Sequence, residues 1–192
     1  YGSGNVFYGG EMMEKKKLLI SFSGGKTSAY MTWWLYNEWK ERHNWDMVTI
    51  FANTGKEQEG TLMFVNNCSK QWNIPIIWIE GVYRDVNGDK FTDKGWGLSF
   101  KIVTFETASR KGQPFEQLIS CLGIPSTNAP FCSDQLKRKP IERYLKSIGW
   151  KGYYKAIGIR TDELDRINEN YKKLKIFYPL AFLNPKTKQQ IN

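Results

Sequence analysis

Cysteine and histidine are scarce in this chain. Its 192 residues include three cysteines, Cys68, Cys121 and Cys132, and one histidine, His43. The cysteines are odd in number and form no Cys-x-x-Cys pair, so the sequence favours neither a disulfide framework nor a zinc site. Such usage is typical of a reducing, intracellular setting. No paired nucleophile accompanies His43, which we expect to be a surface or packed residue.

Long apolar runs are also missing. No stretch approaches the roughly 20 apolar residues that a membrane span needs. Residues 1–10 have neither the basic start nor the apolar middle of a signal peptide. We therefore expect a cytoplasmic protein without a membrane partner. Residues 1–16 are predicted to be a tag or loose arm, and residues 17–192 to be one α/β domain, truncated at its C-terminal end.

Acidic residues are fewer than basic ones. The chain has 28 lysines and arginines against 19 aspartates and glutamates, which gives a formal charge of +9. This balance favours anionic partners such as a nucleotide, pyrophosphate, sulfate or a nucleic acid, without choosing among them. Apolar residues make up 41% of the chain, enough for one domain with a proper core.

Apolar, β-branched runs alternate with helical segments in the first part of the chain. This order is typical of a parallel sheet in an α/β protein. We predict a single doubly wound, mainly parallel sheet with helices on both faces, and a ligand at the carboxyl ends of its strands. The predicted strands are 18–22, 47–51 and 75–79, and the predicted helices are 27–42 and 59–72.

The second part of the chain is less regular. Residues 80–112 are rich in glycine and charge and are predicted to be an insertion over the site, with a strand only at 101–105. Further on, the pattern predicts helices at 114–122 and 134–148, a strand at 153–157 and a short helix or helical turn at 162–170.

A glycine-rich turn follows the first predicted strand. Residues 21–28 read SFSGGKTS. Adjacent glycines allow a sharp turn that brings backbone N–H groups close to an anion, hydroxyl groups add donors, and Lys26 adds a charge. The Walker pattern would require a glycine at position 20, where the chain has Ile20. The segment is therefore a different phosphate-binding turn between a strand and a helix.

This turn closely resembles the PP-loop of the adenine nucleotide α-hydrolase superfamily. Three further segments resemble the branch similar to 3′-phosphoadenylyl sulfate (PAPS) reductases and the small PP-loop proteins of phages and DNA-sulfur-modification systems. They are NTGKE at 53–57, the run at 107–115 that continues to CSDQLKRKP at 132–140, and GIRTDELDR at 158–166. The resemblance covers about residues 17–185. If a phage encodes the chain, the compartment is the host cytoplasm.

The resemblance implies a set of site residues. Ser133 is expected to cap a helix starting at Asp134 and Lys137 to present its charge one turn later, while Glu163 or Arg166 orients Arg160 or the ribose. The residues expected to bind nucleotide are Ser21, Ser23, Gly24, Gly25, Lys26, Thr27, Ser28, Asn53, Thr54, Gly55 and Arg160. Those expected to act in catalysis are Lys26, Lys137, Arg160 and Cys132. No protein metal ligands are predicted.

The function implied first is an ATP pyrophosphatase that uses Mg²⁺ and activates an acceptor as an adenylate. Sulfur transfer through Cys132 or Cys121 could follow, although a role for both cysteines as small buried residues is slightly favoured. The acceptor is open, with a nucleic acid or a sulfur-donor protein as candidates, and a homo-oligomer is allowed. The alternatives are a PAPS or adenylyl sulfate reductase and a non-catalytic module that binds an adenine nucleotide.

The chain departs from the reductase pattern in its cysteines. Those enzymes carry a reactive cysteine in a C-terminal Glu-Cys-Gly-x-His segment, whereas no cysteine follows Cys132 here. Their iron–sulfur forms need a Cys-Cys pair and a later Cys-x-x-Cys, so no iron–sulfur cluster is expected.

Overall fold

The computed structural model describes residues 15–83, 99–126, 131–160 and 162–182. Six strands form one sheet in the order β4-β3-β2-β1-β5-β6. All neighbouring strands are parallel except β3 and β4, which are antiparallel. The strands are β1 (Lys17–Ser21), β2 (Asp46–Ala52), β3 (Ile76–Val82), β4 (Ser99–Val103), β5 (Tyr154–Ala156) and β6 (Ile176–Phe177).

Helices cover both faces of this sheet, as predicted. The α-helices are α1 (Lys26–Trp34), α2 (Glu59–Trp72), α3 (Gln113–Leu122), α4 (Lys139–Ser147) and α5 (Pro179–Phe182). A π-helical turn (Leu35–Trp39) and a 3₁₀ turn (Lys40–Arg42) continue α1, and another π-helical turn (Asp134–Arg138) leads into α4. A last 3₁₀ turn covers Leu164–Arg166.

Alternation along the strands decides which face each apolar side chain covers. On β1, Leu18 and Ile20 pack with α1 residues, whereas Leu19 packs with Ile141 and Leu145 of α4 on the opposite face. This follows from the period of two along a strand. All five of these side chains are buried. The predicted doubly wound α/β fold is therefore confirmed.

The order of the strands creates a switch point beside β1. The chain runs outward from β1 through β2 and β3, then returns to place β5 on the other side of β1. In open α/β sheets, ligands bind in the crevice at the carboxyl ends of the strands where the order reverses. The crevice here lies between the loops that follow β1 and β5.

Several predicted boundaries differ from those of the structure. The helix predicted at 27–42 is one helical segment with three hydrogen-bonding patterns, and the helical region predicted at 162–170 shrinks to the turn Leu164–Arg166. The short elements β6 and α5 were not predicted. They depend on tertiary packing, since Phe177 and Leu180 belong to the apolar cluster beneath α1.

The predicted insertion at 80–112 is partly wrong. β3 continues through Glu80 to Val82, and β4 pairs antiparallel with it from Ser99, two residues before the predicted strand. Residues 84–98 of that expected insertion lie outside the described residues, as does the predicted arm apart from Lys15 and Lys16. Within the described ranges, no helix combines the length and apolar character that a membrane crossing requires.

Candidate nucleotide site

The loop between β1 and α1 is shaped by two adjacent glycines in different conformations. Gly24 has φ +82°, a left-handed value that favours glycine, and a methyl group there would lie 2.5 Å from Thr61 Cγ2 of α2. Gly25 precedes α1 with φ −100°, and a methyl group there would approach only Ser23 Oγ, at 3.7 Å. The backbone at Gly24 is therefore packed against α2, while Gly25 is exposed.

Donors for an anion are available where α1 begins. The first backbone hydrogen bond of α1 runs from Ala29 N to Gly25 O, at 3.0 Å. The amides of Lys26, Thr27 and Ser28 precede it and belong to the helix end that α-helix geometry leaves without intrahelical acceptors. Together with the positive end of the helix dipole and the exposed Lys26, this arrangement suits a phosphate group.

The hydroxyl groups of the loop do not all have the same role. Ser28 is 5% exposed; its Oγ donates to Gly25 O at 2.9 Å and accepts from Ser23 N at 3.1 Å. It also accepts from Ser23 Oγ at 3.0 Å. Ser28 therefore closes the turn from inside, whereas Ser23 is exposed although its hydroxyl donates to Ser28.

The loop after β5 lies against the start of α1. A methyl group at Gly158 would lie 3.4 Å from Thr27 Cγ2 and 3.5 Å from Thr27 O, so two predicted site segments meet at the switch point. Arg160 follows two residues later, at the surface. Its Nε and Nη2 donate to the two carboxylate oxygens of Asp162, at 2.9 and 2.8 Å. This pairing raises the pKa of the Arg160 guanidinium.

The predicted partners of Arg160 are partly in place. Glu163 Oε2 accepts from Arg160 N at 3.4 Å and lies 3.9 Å from Arg160 Nε. Arg166 pairs instead with Glu163 at 2.8 Å. Sequence reasoning missed Asp162, the strongest partner of Arg160, although an acidic residue two positions from an arginine is a recognisable signal. Thr161, between them, lies outside the described residues.

The turn after β2 is held from below by a buried polar cluster. Asn53 and Glu80 are both 0% exposed. Asn53 Nδ2 donates to Glu80 Oε1 at 2.6 Å and to Ser109 O at 2.9 Å, while its Oδ1 accepts from Gly55 N at 3.1 Å. Ser109 N donates to Glu80 Oε1 at 2.6 Å, and Lys101 Nζ lies 2.9 Å from Glu80 Oε2.

This cluster changes how the predicted site residues in the turn are interpreted. The Asn53 amide is fully engaged within the protein and is buried, so it positions the turn. Gly55 is left-handed, with φ +78°, and a methyl group there would lie 2.9 Å from both Pro114 Cδ and Ser109 Oγ. Glu80 and Ser109 were missed, yet a glutamate inside the apolar strand sequence IIWIEGV is a visible signal.

A short polar chain joins the turn after β2 to the segment before α4. Thr54 Oγ1 donates to Glu57 Oε1 at 3.2 Å, and Lys137 Nζ donates to the same oxygen at 3.3 Å. Lys137 belongs to the π-helical turn, in which backbone hydrogen bonds span five residues instead of four. Two segments that resemble the same family are thus brought into contact.

The expected cap at Ser133 is wrong. Ser133 has helical angles, φ −63° and ψ −36°, and makes no side-chain capping bond. The helix already includes Cys132, and Gln135 N donates to Phe131 O at 2.9 Å. Cys132 itself packs, partly buried, with Cys121 around Leu118 and Leu136.

A cavity of about 370 Å³ opens beside the loop after β1. Its lining is apolar at Leu19, Ile50 and Ile141 and polar at Ser21, Ser23, Ser133 and Lys137, and the charged residues Arg138, Glu142 and Lys155 also line it. A largely apolar cavity with a few polar groups is the usual form of a site for a small organic ligand. The part of the chain that the structure describes holds no group of three or more His, Cys, Asp or Glu side chains suited to a metal ion.

No family model matches the chain. Over 150 residues, 78% of the chain, it is 33% identical to the uncharacterized nin region protein ORF290 of Escherichia phage lambda, of which it covers 50%. Over 155 residues, 80% of the chain, it is 26% identical to the uncharacterized protein MJ0973 of Methanocaldococcus jannaschii, of which it covers 28%. The chain thus spans half or less of the length of these curated relatives, and neither name states an activity.

Proposed function

We propose that this chain binds ATP at the loop after β1 and transfers the adenylyl group to an acceptor with release of pyrophosphate. The observation that carries the proposal is the position of the glycine turn. Gly24 is fitted against Thr61 at the switch point of a doubly wound sheet. The first amides of α1 and Lys26 therefore lie where such folds bind phosphate groups.

The neighbouring cavity supports an adenosine in the same site. Its largely apolar lining suits a purine, its volume of about 370 Å³ falls within the range of small-molecule pockets, and Ser21 and Ser23 connect it to the phosphate turn. Lys137 at its edge adds a positive charge on the side of the turn after β2. A nucleotide placed this way has its base in the cavity and its phosphates at the loop.

The proposed step is a substitution at the α-phosphorus. A nucleophilic oxygen or nitrogen of the acceptor forms a bond to the α-phosphorus, the bond to the bridging oxygen of the β-phosphate breaks, and the acceptor's proton passes to solvent. Pyrophosphate leaves with the electron pair. Loop amides and Lys26 would stabilise negative charge on phosphate oxygens, and Lys137 and Arg160 could add to this, so no side-chain nucleophile is needed.

Magnesium would accompany the nucleotide in this proposal. Mg²⁺ commonly keeps several waters and binds through substrate phosphates with few protein ligands. The hydroxyls of Ser21 and Ser23, which line the cavity beside the turn, would contact the hydrated ion through water. Neutralising phosphate charge is what the ion would supply.

A labelled nucleotide tests the proposal. ATP labelled at the α-phosphate, incubated with Mg²⁺, pure protein and candidate acceptors, should yield labelled AMP or acceptor adenylate together with pyrophosphate. Lys26→Ala should weaken nucleotide binding, and Lys146→Ala, which removes an exposed charge from α4, should not. Release of ADP and orthophosphate, or full nucleotide affinity in Lys26→Ala, would contradict the proposal.

A second candidate, a nucleotide-binding module without catalysis, is favoured by one observation. The two cations of the proposed site that lie outside the loop after β1 are paired with carboxylates. Lys137 pairs with Glu57, and Arg160 pairs with Asp162. Cations held in this way are less available to a transition state. Tight ATP binding without pyrophosphate release under the conditions above would select this candidate.

A further inference from the structure

A second groove lies where the parallel strands start, at the opposite end of the strands from the glycine turn after β1. Its volume is about 580 Å³, and its lining includes five aromatic residues and three lysines. We call it the amino-end groove and define it by Lys16, Trp45, Tyr154, Tyr171, Lys172 and Lys175. The function proposed above uses none of these residues.

The position of the groove follows from the sheet. Lys16 immediately precedes β1, Trp45 precedes β2, Tyr154 opens β5 and Lys175 precedes β6. Parallel strands that start at the same edge bring these residues together. The glycine turn follows the carboxyl end of β1, so the groove and the proposed nucleotide site lie at opposite ends of the strands.

The aromatic rings of the groove are ordered by their neighbours. The rings of Trp45 and Tyr154 have centroids 5.0 Å apart, and Trp45 also packs edge-on against the buried Trp39 at 5.0 Å. Tyr171 packs against Tyr178, with centroids 6.1 Å apart. Trp45, Tyr154 and Tyr171 are each only partly buried. They form an ordered aromatic surface that is partly exposed to solvent.

Each of these rings carries a lysine above it. The Nζ of Lys16 lies 5.4 Å from the Trp45 ring centroid, that of Lys175 lies 5.7 Å from Tyr154, and that of Lys172 lies 5.8 Å from Tyr171. Lys175 is held further by a hydrogen bond to Gly152 O at 2.9 Å. No aspartate or glutamate is among the described residues that line the groove. The charged residues that line it are therefore lysines alone.

We propose that the amino-end groove binds single-stranded nucleic acid. Unpaired bases stack on the faces of Trp45, Tyr154 and Tyr171, and the lysines exchange their contacts with the rings for contacts with the phosphates between the bases. Stacking on aromatic rings combined with a positively charged groove is the common basis of sequence-tolerant single-strand binding.

The occupant is argued from the shape and the charge of the groove. The rings lie beneath lysines in a groove, so a base must leave its stack to reach them, which an intact duplex does not permit. An acidic peptide would satisfy the lysines but leave the ring faces with little to stack on. The alternation of cation and ring fits the alternation of phosphate and base along one strand.

Oligonucleotide binding measured over a range of salt concentrations tests this proposal. The probes are a short oligothymidylate and a short oligouridylate, with tryptophan fluorescence or anisotropy as the signal. Three phosphate contacts predict a slope of about −2 for log K against log salt. The double variant Lys16→Ala/Lys172→Ala should bring the slope to about −0.7, as one contact remains.

Matched variants separate stacking and local charge from general effects. Trp45→Ala should weaken binding about tenfold, while Trp45→Phe keeps most of the affinity because it retains a ring. The control Lys70→Ala/Lys146→Ala removes two exposed lysines from α2 and α4 and should leave the slope unchanged. Circular dichroism verifies folding, and the lysine variants keep the test decisive if Trp45→Ala unfolds.

Two outcomes would overturn the proposal. One is an equal loss of affinity in the groove variant and in the control variant, which would mean that net charge alone drives binding. The other is binding of the wild type to phosphatidylserine vesicles without binding to either oligonucleotide. ATP affinity should be unchanged in Lys16→Ala/Lys172→Ala, so failure here is distinguishable from failure of the proposed nucleotide site.

Discussion

Lys137 Nζ and Glu57 Oε1 lie 3.3 Å apart although 80 positions separate them in the chain. The contact joins the π-helical turn before α4 to the turn after β2. It places a positive charge at the edge of the cavity beside the phosphate turn.

Removing Lys137 should affect ATP binding more than it affects the stability of the fold. The side chains of Lys137 and Glu57 are 43% and 21% exposed, and such pairs stabilise a fold by about 0.2–1 kcal/mol. Lys137→Ala should therefore change the free energy of unfolding by less than ~1 kcal/mol but lower the affinity for ATP several-fold. Urea unfolding and calorimetric titration measure the two quantities. Unchanged ATP affinity would remove Lys137 from the site.

The two glycines of the loop predict opposite behaviour on substitution. Gly24→Ala places a methyl group 2.5 Å from Thr61 Cγ2 in a left-handed backbone, which should destabilise the fold by ~2 kcal/mol. Gly25→Ala should stay within ~0.5 kcal/mol because its methyl group meets only Ser23 Oγ, at the ordinary contact distance of 3.7 Å. We expect Gly25→Ala to reduce ATP affinity nonetheless, by keeping phosphate away from the backbone.

A second substitution checks the cause of the Gly24 effect. Thr61→Ser removes the Cγ2 atom that the new methyl group would approach. The Gly24→Ala/Thr61→Ser variant should therefore recover part of the stability lost in Gly24→Ala, the remainder being the strain of the positive φ. If Thr61→Ser gives no recovery, the contact with α2 is not what requires glycine.

The buried Asn53 predicts a strong effect on stability. Removing its side chain leaves Glu80, the Ser109 carbonyl and the Gly55 amide without that partner, so Asn53→Ala should cost ~2–3 kcal/mol in urea unfolding. The control is Asn37→Ala, since Asn37 donates to Trp33 O at an exposed position. It should stay within ~0.5 kcal/mol. Equal effects would mean that the buried network adds nothing.

The pairing of Arg160 with Asp162 predicts competition for the arginine. Asp162 accepts hydrogen bonds from Nε and Nη2 of Arg160. Asp162→Asn removes the negative charge of this partner, so Arg160 should become more available to phosphate and ATP affinity should rise. Arg160→Ala should lower it, and Arg160→Lys should restore only part because lysine lacks the bidentate geometry. Calorimetric titration with ATP at low salt measures these affinities. A fall in affinity for Asp162→Asn would instead assign Asp162 to ligand binding.

The cysteines should differ in their reaction with a thiol reagent. Cys68 is 4% exposed, and burial raises the pKa of its thiol, which disfavours the reactive thiolate at neutral pH. Cys121 and Cys132 are only partly buried. In the folded protein we expect modification of Cys121 and Cys132 first, and of Cys68 only after urea is added. Peptide mass mapping identifies the sites. Rapid labelling of Cys68 in the folded protein would contradict its burial.

The sequence predicted the sheet well because its strands are short, apolar and flanked by clear turns. The helix at Glu59–Trp72 was predicted with its correct ends. The cap at Ser133 was wrong because Phe131 O already accepts from Gln135 N, and the helix starts two residues earlier, at Cys132. The two-residue strand Ile176–Phe177 carries too little pattern to be predicted and depends on pairing with β5.

The candidate site was predicted as segments and completed by contacts between them. Glycines at a strand end indicate a tight turn by themselves, since only a few residue types allow such a backbone. Which side chains face a ligand was not predictable. Ser28 and Asn53 turn inward to hold the backbone, whereas Ser23 and Lys137 line the cavity.

By itself the sequence determined the α/β alternation, the glycine turn after β1 and the positive charge, because periodicity, backbone freedom and composition are local properties. Tertiary structure alone decided that Lys137 meets Glu57, that Asn53 meets Glu80, and that Trp45 and Tyr154 share one groove with Lys16. These residues lie far apart in the chain. Trp45, Tyr154 and Lys16 meet because parallel strands align their ends, so side chains at matching ends become neighbours whatever their separation in sequence. Lys137 meets Glu57 because the π-helical turn before α4 packs beside the turn after β2.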